Sequence, residues 1–192
     1  FFFIICILLT IPYLIIESDT INLICFSICL KTTVKCNLVF LYDMKIMITG
    51  GSGFIGSHLC DELIKTNHEI IVLTRNDNKK HNLIHILDKI KIEFIDTTDF
   101  QSLEKSIEKN RPDVIFHLAG ETSHKKSFEN PLYDIETNSK STLCMLEKIR
   151  TLNLKCKFIL GSTFIVIGRP LKLPVDEETP CNPTTIYGAN RL

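Results

Sequence analysis

Met44-Lys45-Ile46-Met47-Ile48-Thr49-Gly50-Gly51-Ser52-Gly53-Phe54-Ile55-Gly56-Ser57-His58-Leu59 decides the fold of this chain. Lys45–Thr49 is a short apolar run that stops at glycines, which reads as a buried strand. From Phe54 to Thr66, apolar Phe54, Ile55, Leu59, Leu63 and Ile64 fall at helical spacing. Gly50, Gly53 and Gly56 therefore stand between a strand and a helix, the order that lifts a glycine pattern above coincidence. Gly50 permits the tight turn, Gly53 leaves the backbone open to a close approach, and Gly56 lets the helix pack on the strand. Free N–H groups and the positive dipole end at the helix start suit a diphosphate.

Downstream, strand and helix patterns alternate. Strands are expected at Glu69–Thr74, Lys91–Ile95, Asp113–Leu118 and Cys156–Gly161. Asn76–Asn82 reads as a polar loop, and Leu83–Leu87 as a helical turn. Phe100–Lys109 reads as a helix with Asp99 as N-cap. Pro131–Arg150 reads as a long helical region whose apolar positions are Ile135, Leu143, Leu146 and Ile149. Arg169–Pro183 is a proline-bearing loop, and a final helix begins near Thr185. This alternation predicts an α/β protein, a Rossmann-type doubly wound parallel sheet with helices on both faces.

The chain has 192 residues, 45% hydrophobic and 23% charged, enough for one substantial domain. Its formal net charge is zero, so no overall field steers nucleic acid toward it. Lys79-Lys80 and Lys125-Lys126 read as solvated loop charges. None of the eight cysteines forms a C-x-x-C pair, and no His/Cys cluster has zinc-site spacing, so no metal site is expected. Scattered thiols of this kind fit a reduced, cytoplasmic setting.

Residues 1–43 are unlike the rest. Phe1–Ile16 is almost wholly apolar but shorter than the roughly 20 residues a bilayer span needs, and Pro12 weakens a helix there. It lacks the basic start of a signal peptide. Because Met44 opens the first strand, residues 1–43 are expected to be a hydrophobic leader of upstream origin, and residues 44–192 the domain. A membrane anchor using residues 1–30 is the competing reading.

The glycine segment has the spacing G-x-x-G-x-x-G, and with its flanks it resembles the extended branch of the short-chain dehydrogenase/reductase superfamily, the NAD-dependent epimerase/dehydratase family. The resemblance covers residues 44–192. It implies a nicotinamide dinucleotide held by Gly50, Gly53, Phe54, Ile55 and Gly56. The acid that usually follows the second strand and binds the ribose 2′-OH is absent. Thr74-Arg75 stands there instead, and an arginine pairs well with a 2′-phosphate, which leans toward NADP. Arg75 as a solvated loop charge, or Asp77 turning inward, keeps NAD open, so the cofactor is NAD or NADP. Asp96-Thr97 matches the family's adenine-binding position. His117-Leu118-Ala119-Gly120 resembles its HxAA segment, which makes Leu118, Ala119 and Gly120 cofactor neighbours and His117 a structural hydrogen-bonder. Asn138 matches a helix asparagine that braces the site.

Phe158–Gly168 resembles the family's strand ending in SSxxVYG, with Ser162 at the first serine, Thr163 at the catalytic Ser/Thr position and Ile167 in place of tyrosine. Tyr187-Gly188-Ala189-Asn190-Arg191 lies at its YxxxK. Residues i and i+4 share a helix face. A tyrosine phenol, with a reference value of about 10, needs a nearby cation to serve as a base at neutral pH. The resemblance thus implies catalysis by Thr163, Tyr187 and Arg191, with hydride passing to and from the nicotinamide. Arg191 departs from the family's lysine, a swap that is not conservative. The implied substrate is a nucleotide sugar, and a homodimer is compatible with the resemblance. The family's substrate-binding portion lies largely beyond the YxxxK segment, so the chain is expected to be a fragment. The rival readings are a non-catalytic NAD(P)-binding sensor or scaffold, and an inactive fragment.

Overall fold

A computed structural model describes residues 43–75 and 77–192. The expectations for residues 1–42 lie outside the described residues. Met44–Leu192 forms one compact unit.

Its centre is a five-stranded sheet, β1 (Lys45–Thr49), β2 (Glu69–Thr74), β3 (Lys91–Phe94), β4 (Val114–His117) and β5 (Lys157–Leu160). All pairings are parallel, in the order β3-β2-β1-β4-β5. The chain fills one side of β1 and then returns to fill the other. The crevice beyond the C-terminal ends of β1 and β4 is therefore the topological switch point, where open α/β sheets bind ligands. The apolar runs of β1 and β2 are buried from their second residue onward, because both faces of a parallel sheet are covered.

Alternation along the strands splits the core. Met47, Ile71, Leu73 and Ile115 join Leu103 and Ile107 of α2 (Phe100–Asn110) and Met145 of α5 (Ser141–Thr151). Ile46, Ile48, Ile70 and Val72 point the other way. On that face α1 (Phe54–Leu63) buries Leu59, Cys60 and Leu63, and a 3₁₀ segment (Asp77–Ile86) buries Leu83 and Ile86. That segment takes up residues 77–82 of the loop expected over Asn76–Asn82, and Asn76 lies outside the described residues. Lys125 and Lys126, expected in a loop, lie on α3 (His124–Glu129), which Ser123 caps. Asp99 caps α2 as expected, accepting from Ser102 N at 3.1 Å.

The long helical region differs most from its sequence reading. It consists of α4 (Pro131–Asp134), a π-helical stretch (Ile135–Lys140) and α5. Its buried face is mainly polar: Asp134, Thr137, Asn138 and Ser141, with Met145 beyond them. Ile135, Leu143 and Leu146, three of the apolar positions read from the sequence, are exposed. Thr137, Ser141 and Thr142 hydroxyls each donate to the carbonyl four residues back, the local competition that loosens an α-helical ladder. Among the described residues no helix is long and apolar enough to cross a membrane, and no group of His, Cys, Asp and Glu could hold a metal. The described cysteines, Cys60, Cys144, Cys156 and Cys181, are free.

Candidate active site

The glycine loop lies at the β1–α1 junction. Gly50 has φ +69°, and a Cβ there would lie 2.8 Å from Ala119 N. Both the conformation and the β4 exit therefore demand glycine. The loop is tied by Gly50 N to Leu73 O and Gly53 N to Gly50 O, each 3.0 Å. Gly53 is the N-cap of α1 and carries no side-chain cap, and α1 has no acid in its first turn. A Cβ at Gly53 would meet only Gly50 O, at 3.2 Å, so its outer side opens onto the cleft. These features leave the helix N-terminus free for an anion. Phe54, Ile55 and Gly56 form the first turn of α1 rather than the cleft wall.

The cleft holds about 680 Å³ of empty space, counting the part open to solvent. Gly50 and Gly53 form its floor, with Thr74, Arg75, Asp96 and Thr97 on one side and Leu118, Ala119 and Gly120 on the other. Arg75 is exposed, and its Nη1 donates to Tyr133 Oη at 3.3 Å. Asp96 Oδ1 accepts from Thr98 N and Oγ1. The cleft is also lined by Ser52, Leu73, Thr74, Ile95 and Thr137, to which the sequence reading gave no site role of their own. Ser52 and Thr74 share a buried hydroxyl pair at 2.7 Å. Thr137 is 6% exposed and gave no signal, since the helical pattern there was read on its apolar residues.

His117 and Asn138 brace the second wall. His117 shares hydrogen bonds with Thr49 Oγ1 at 2.7 Å and Ser141 Oγ at 3.1 Å. Burial, aided by the Arg191 charge, holds its pKa down at about 3, so it is neutral near pH 7 and serves as a strut. Thr49 Oγ1 also accepts from Ala119 N at 3.1 Å. Asn138 clasps Glu121, its Oδ1 accepting from the N–H at 3.1 Å and its Nδ2 donating to the carbonyl at 3.2 Å.

Thr163, Tyr187 and Arg191 come from two segments. Thr163 ends the turn after β5 and caps a 3₁₀ turn (Phe164–Ile167). Tyr187 lies on α6 (Ile186–Ala189), capped by Thr185 Oγ1. α6 is a single turn, so Arg191 lies just past it, held by Arg191 N to Gly188 O at 3.3 Å. Tyr187 is 7% exposed and Arg191 3%, which excludes a solvent-facing role for the pair. Arg191 Nη2 donates to Ala119 O at 3.2 Å, and Ser162 Oγ donates to Arg191 O at 2.8 Å. Burial draws the Arg191 pKa down, opposed by Tyr187 and Asp134. The ring of His124 meets Tyr187 edge-on, with centroids 5.0 Å apart; the sequence reading had placed His124 in no element. Asn138 lies beside this group rather than in the cleft wall.

Residues 47–192 match the GDP-mannose 4,6 dehydratase family. A Methanocaldococcus jannaschii protein provisionally named a UDP-glucose 4-epimerase is 36% identical over 148 residues, 76% of this chain and 47% of that protein. The Thermotoga maritima UDP-glucose 4-epimerase, solved with UDP-glucose, superposes with a TM-score of 0.69 at 32% identity, over 77% of this chain and 48% of that one. The Thermus thermophilus UDP-glucose 4-epimerase, solved with NAD, gives 0.68 at 29% identity, over 77% and 47%. The chain spans about half the length of the relatives it matches.

Proposed function

This chain belongs to the GDP-mannose 4,6 dehydratase family, within the NAD-dependent epimerases and dehydratases of the extended short-chain dehydrogenase/reductase type, and from that membership we propose that it is the dinucleotide-binding half of an enzyme acting on a UDP-hexose. One observation carries the reading. The wall of the glycine-floored cleft, at Ala119, is hydrogen-bonded to the cation of a buried Tyr187–Arg191 motif. A dinucleotide site and a proton-transfer pair thus share one wall.

The residues fit the cofactor, because Gly53 opens the loop to a diphosphate and the α1 start has donors to spare. Gly50, Gly53 and the first turn of α1 (Phe54, Ile55, Gly56) hold the diphosphate. Asp96 and Thr97 face the adenine, and Leu118, Ala119 and Gly120 flank the nicotinamide end. NAD is the cofactor, with Arg75 placed to accept a 2′-phosphate as well. A bound nicotinamide supplies the hydride acceptor and donor at the reacting sugar carbon. Tyr187 takes the proton from that carbon's hydroxyl and later returns it. Thr163 donates a hydrogen bond to the same oxygen, and Arg191 keeps positive charge beside the phenol. Ser162 and Asn138 brace the two ends of this arrangement.

Titrating the chain with NAD and NADP, then assaying UDP-glucose interconversion, tests the proposal. Tyr187→Phe is expected to retain NAD binding while turnover falls by about 10²–10⁴-fold, the usual worth of a positioned acid or base. Flat titrations would defeat it. A second reading, a dinucleotide-binding sensor or scaffold without turnover, draws support from Arg191, whose Nη2 is already engaged by Ala119 O. NAD binding with no turnover of any UDP-hexose would select that one.

A further inference from the structure

Asp134 ends α4 with no exposure at all. Its Oδ1 accepts from Asn190 Nδ2 at 2.6 Å, while Oδ2 has no hydrogen-bond partner. Asn190 is also tied to the π-helical stretch by Ser139, whose Oγ donates to its Oδ1 at 3.1 Å. The next residue is Arg191. Its Nη2 bonds Ala119 O, while Nε and Nη1 make no hydrogen bond of normal geometry among the described residues, although the side chain is as buried as the core and the Tyr187 hydroxyl lies close enough to favour its charge. Asn138 lies one turn beyond Asp134 on the same helical run. A Cβ placed on Gly120 would lie 2.5 Å from Asn138 Oδ1 and 2.6 Å from Arg191 Cζ. The guanidinium therefore stands beside Asn138, and Asp134, which holds the neighbouring Asn190, lies one turn back on that run without forming an ion pair with Arg191.

Either charge alone would be expensive in this setting, since burial strips its hydration. Opposite charges buried in one region offset one another more strongly than in water, because the local dielectric is low. A guanidinium tolerates such burial better than an ammonium, being delocalised and weakly hydrated. We propose that Asp134 is the counter-charge of Arg191, a positioning residue whose carboxylate, aimed by Asn190, holds the guanidinium against the cleft wall and lets arginine stand where the family uses lysine. Burial lowers the Arg191 pKa, and Tyr187 and then Asp134 oppose it, so the influence of Asp134 has the matching sign. The inference deepens the proposed function, since it takes Arg191 as the cation of the catalytic pair.

A double-mutant cycle tests it, with Asp134→Asn, Arg191→Met and the two combined, read by urea unfolding and NAD titration. Each single change strands one buried charge, and the combined change removes both. The double variant is expected to be less destabilised than the sum of the singles by about tenfold in the folding equilibrium constant. Strict additivity would overturn the proposal. If the singles do not fold, rescue in the double supports it and failure of the double refutes it. Asp134→Asn is also expected to weaken NAD binding about tenfold, whereas the destabilising core change Ile107→Val leaves affinity unchanged. In an Asn190→Ala background the Asp134→Asn effect shrinks but persists; its complete disappearance would overturn the counter-charge role, leaving Asp134 to act only through the Asn190 hydrogen bond. A flat NAD titration of the unaltered chain would defeat the functional reading while leaving the unfolding cycle able to report the coupling.

Discussion

A methyl group on Gly56 has nowhere to go: it would strike Gly50 O and lie 2.5 Å from Gly51 Cα, both backbone atoms of the turn that forms the loop. Gly56→Ala is therefore expected to cost about 1–3 kcal/mol by overpacking and to abolish NAD binding, as read by urea unfolding and ligand titration. Retained affinity would mean that the loop yields without losing its shape. Arg75 is the opposite case, exposed and, among the described residues, held by a long hydrogen bond to Tyr133. Arg75→Ala is expected to weaken NADP by about tenfold or more, the worth of a charge-assisted bond, and to leave NAD nearly unchanged. Equal losses for both dinucleotides would remove the 2′-phosphate from its role. The glycines were legible because each answers to a backbone constraint within one turn. Asp134, His124 and Thr137 were not, because a polar residue inside a helical pattern looks the same whether it meets water or a partner segment.

Between elements, β3 is locked to α2 through Glu93. Its carboxylate takes hydrogen bonds from Ser106, Asn110 and Lys109 of α2, and Lys91 pairs with it at 3.2 Å. Burial works to raise the Glu93 pKa, but these partners prevail and lower it from 4.5 to about 2. The stability this node contributes is complete above about pH 4.5, the unfolded value, and is lost as pH falls toward 2. Glu93→Gln is expected to flatten that acid limb. Urea midpoints at pH 7 and pH 3 should fall further apart for the unaltered chain than for the variant, and equal gaps would show that the node contributes nothing. The run from Pro131 to Thr151 teaches the complementary lesson. Its helical period was plain, yet apolar Ile135, Leu143 and Leu146 face outward. The inner face instead serves His117, Glu121 and Asn190 through hydrogen bonds. Hydrophobic periodicity finds the core-facing side only where the neighbouring surface is itself apolar.

For the described body as a whole, a ligand that binds only the folded state adds its binding energy to stability. NAD at a hundred times its dissociation constant should contribute about 2.7 kcal/mol, a rise in melting temperature of roughly 5–10 °C for a body of this size. Scanning fluorimetry checks it, and an unmoved transition would show that the cleft does not take NAD. The sequence by itself determined the parallel α/β sheet, the β1–α1 position of the glycine loop and the order of the motifs, because each is written in contiguous residues by strand period, helix period and turn chemistry. Only the tertiary structure decided that Arg191 is buried against Ala119 while Asp134 holds Asn190, that the inner face of the 131–151 run is polar from Asp134 to Ser141, and that His124 meets Tyr187. Those facts belong to surfaces brought together from distant parts of the chain, and no local period records which side chains will meet.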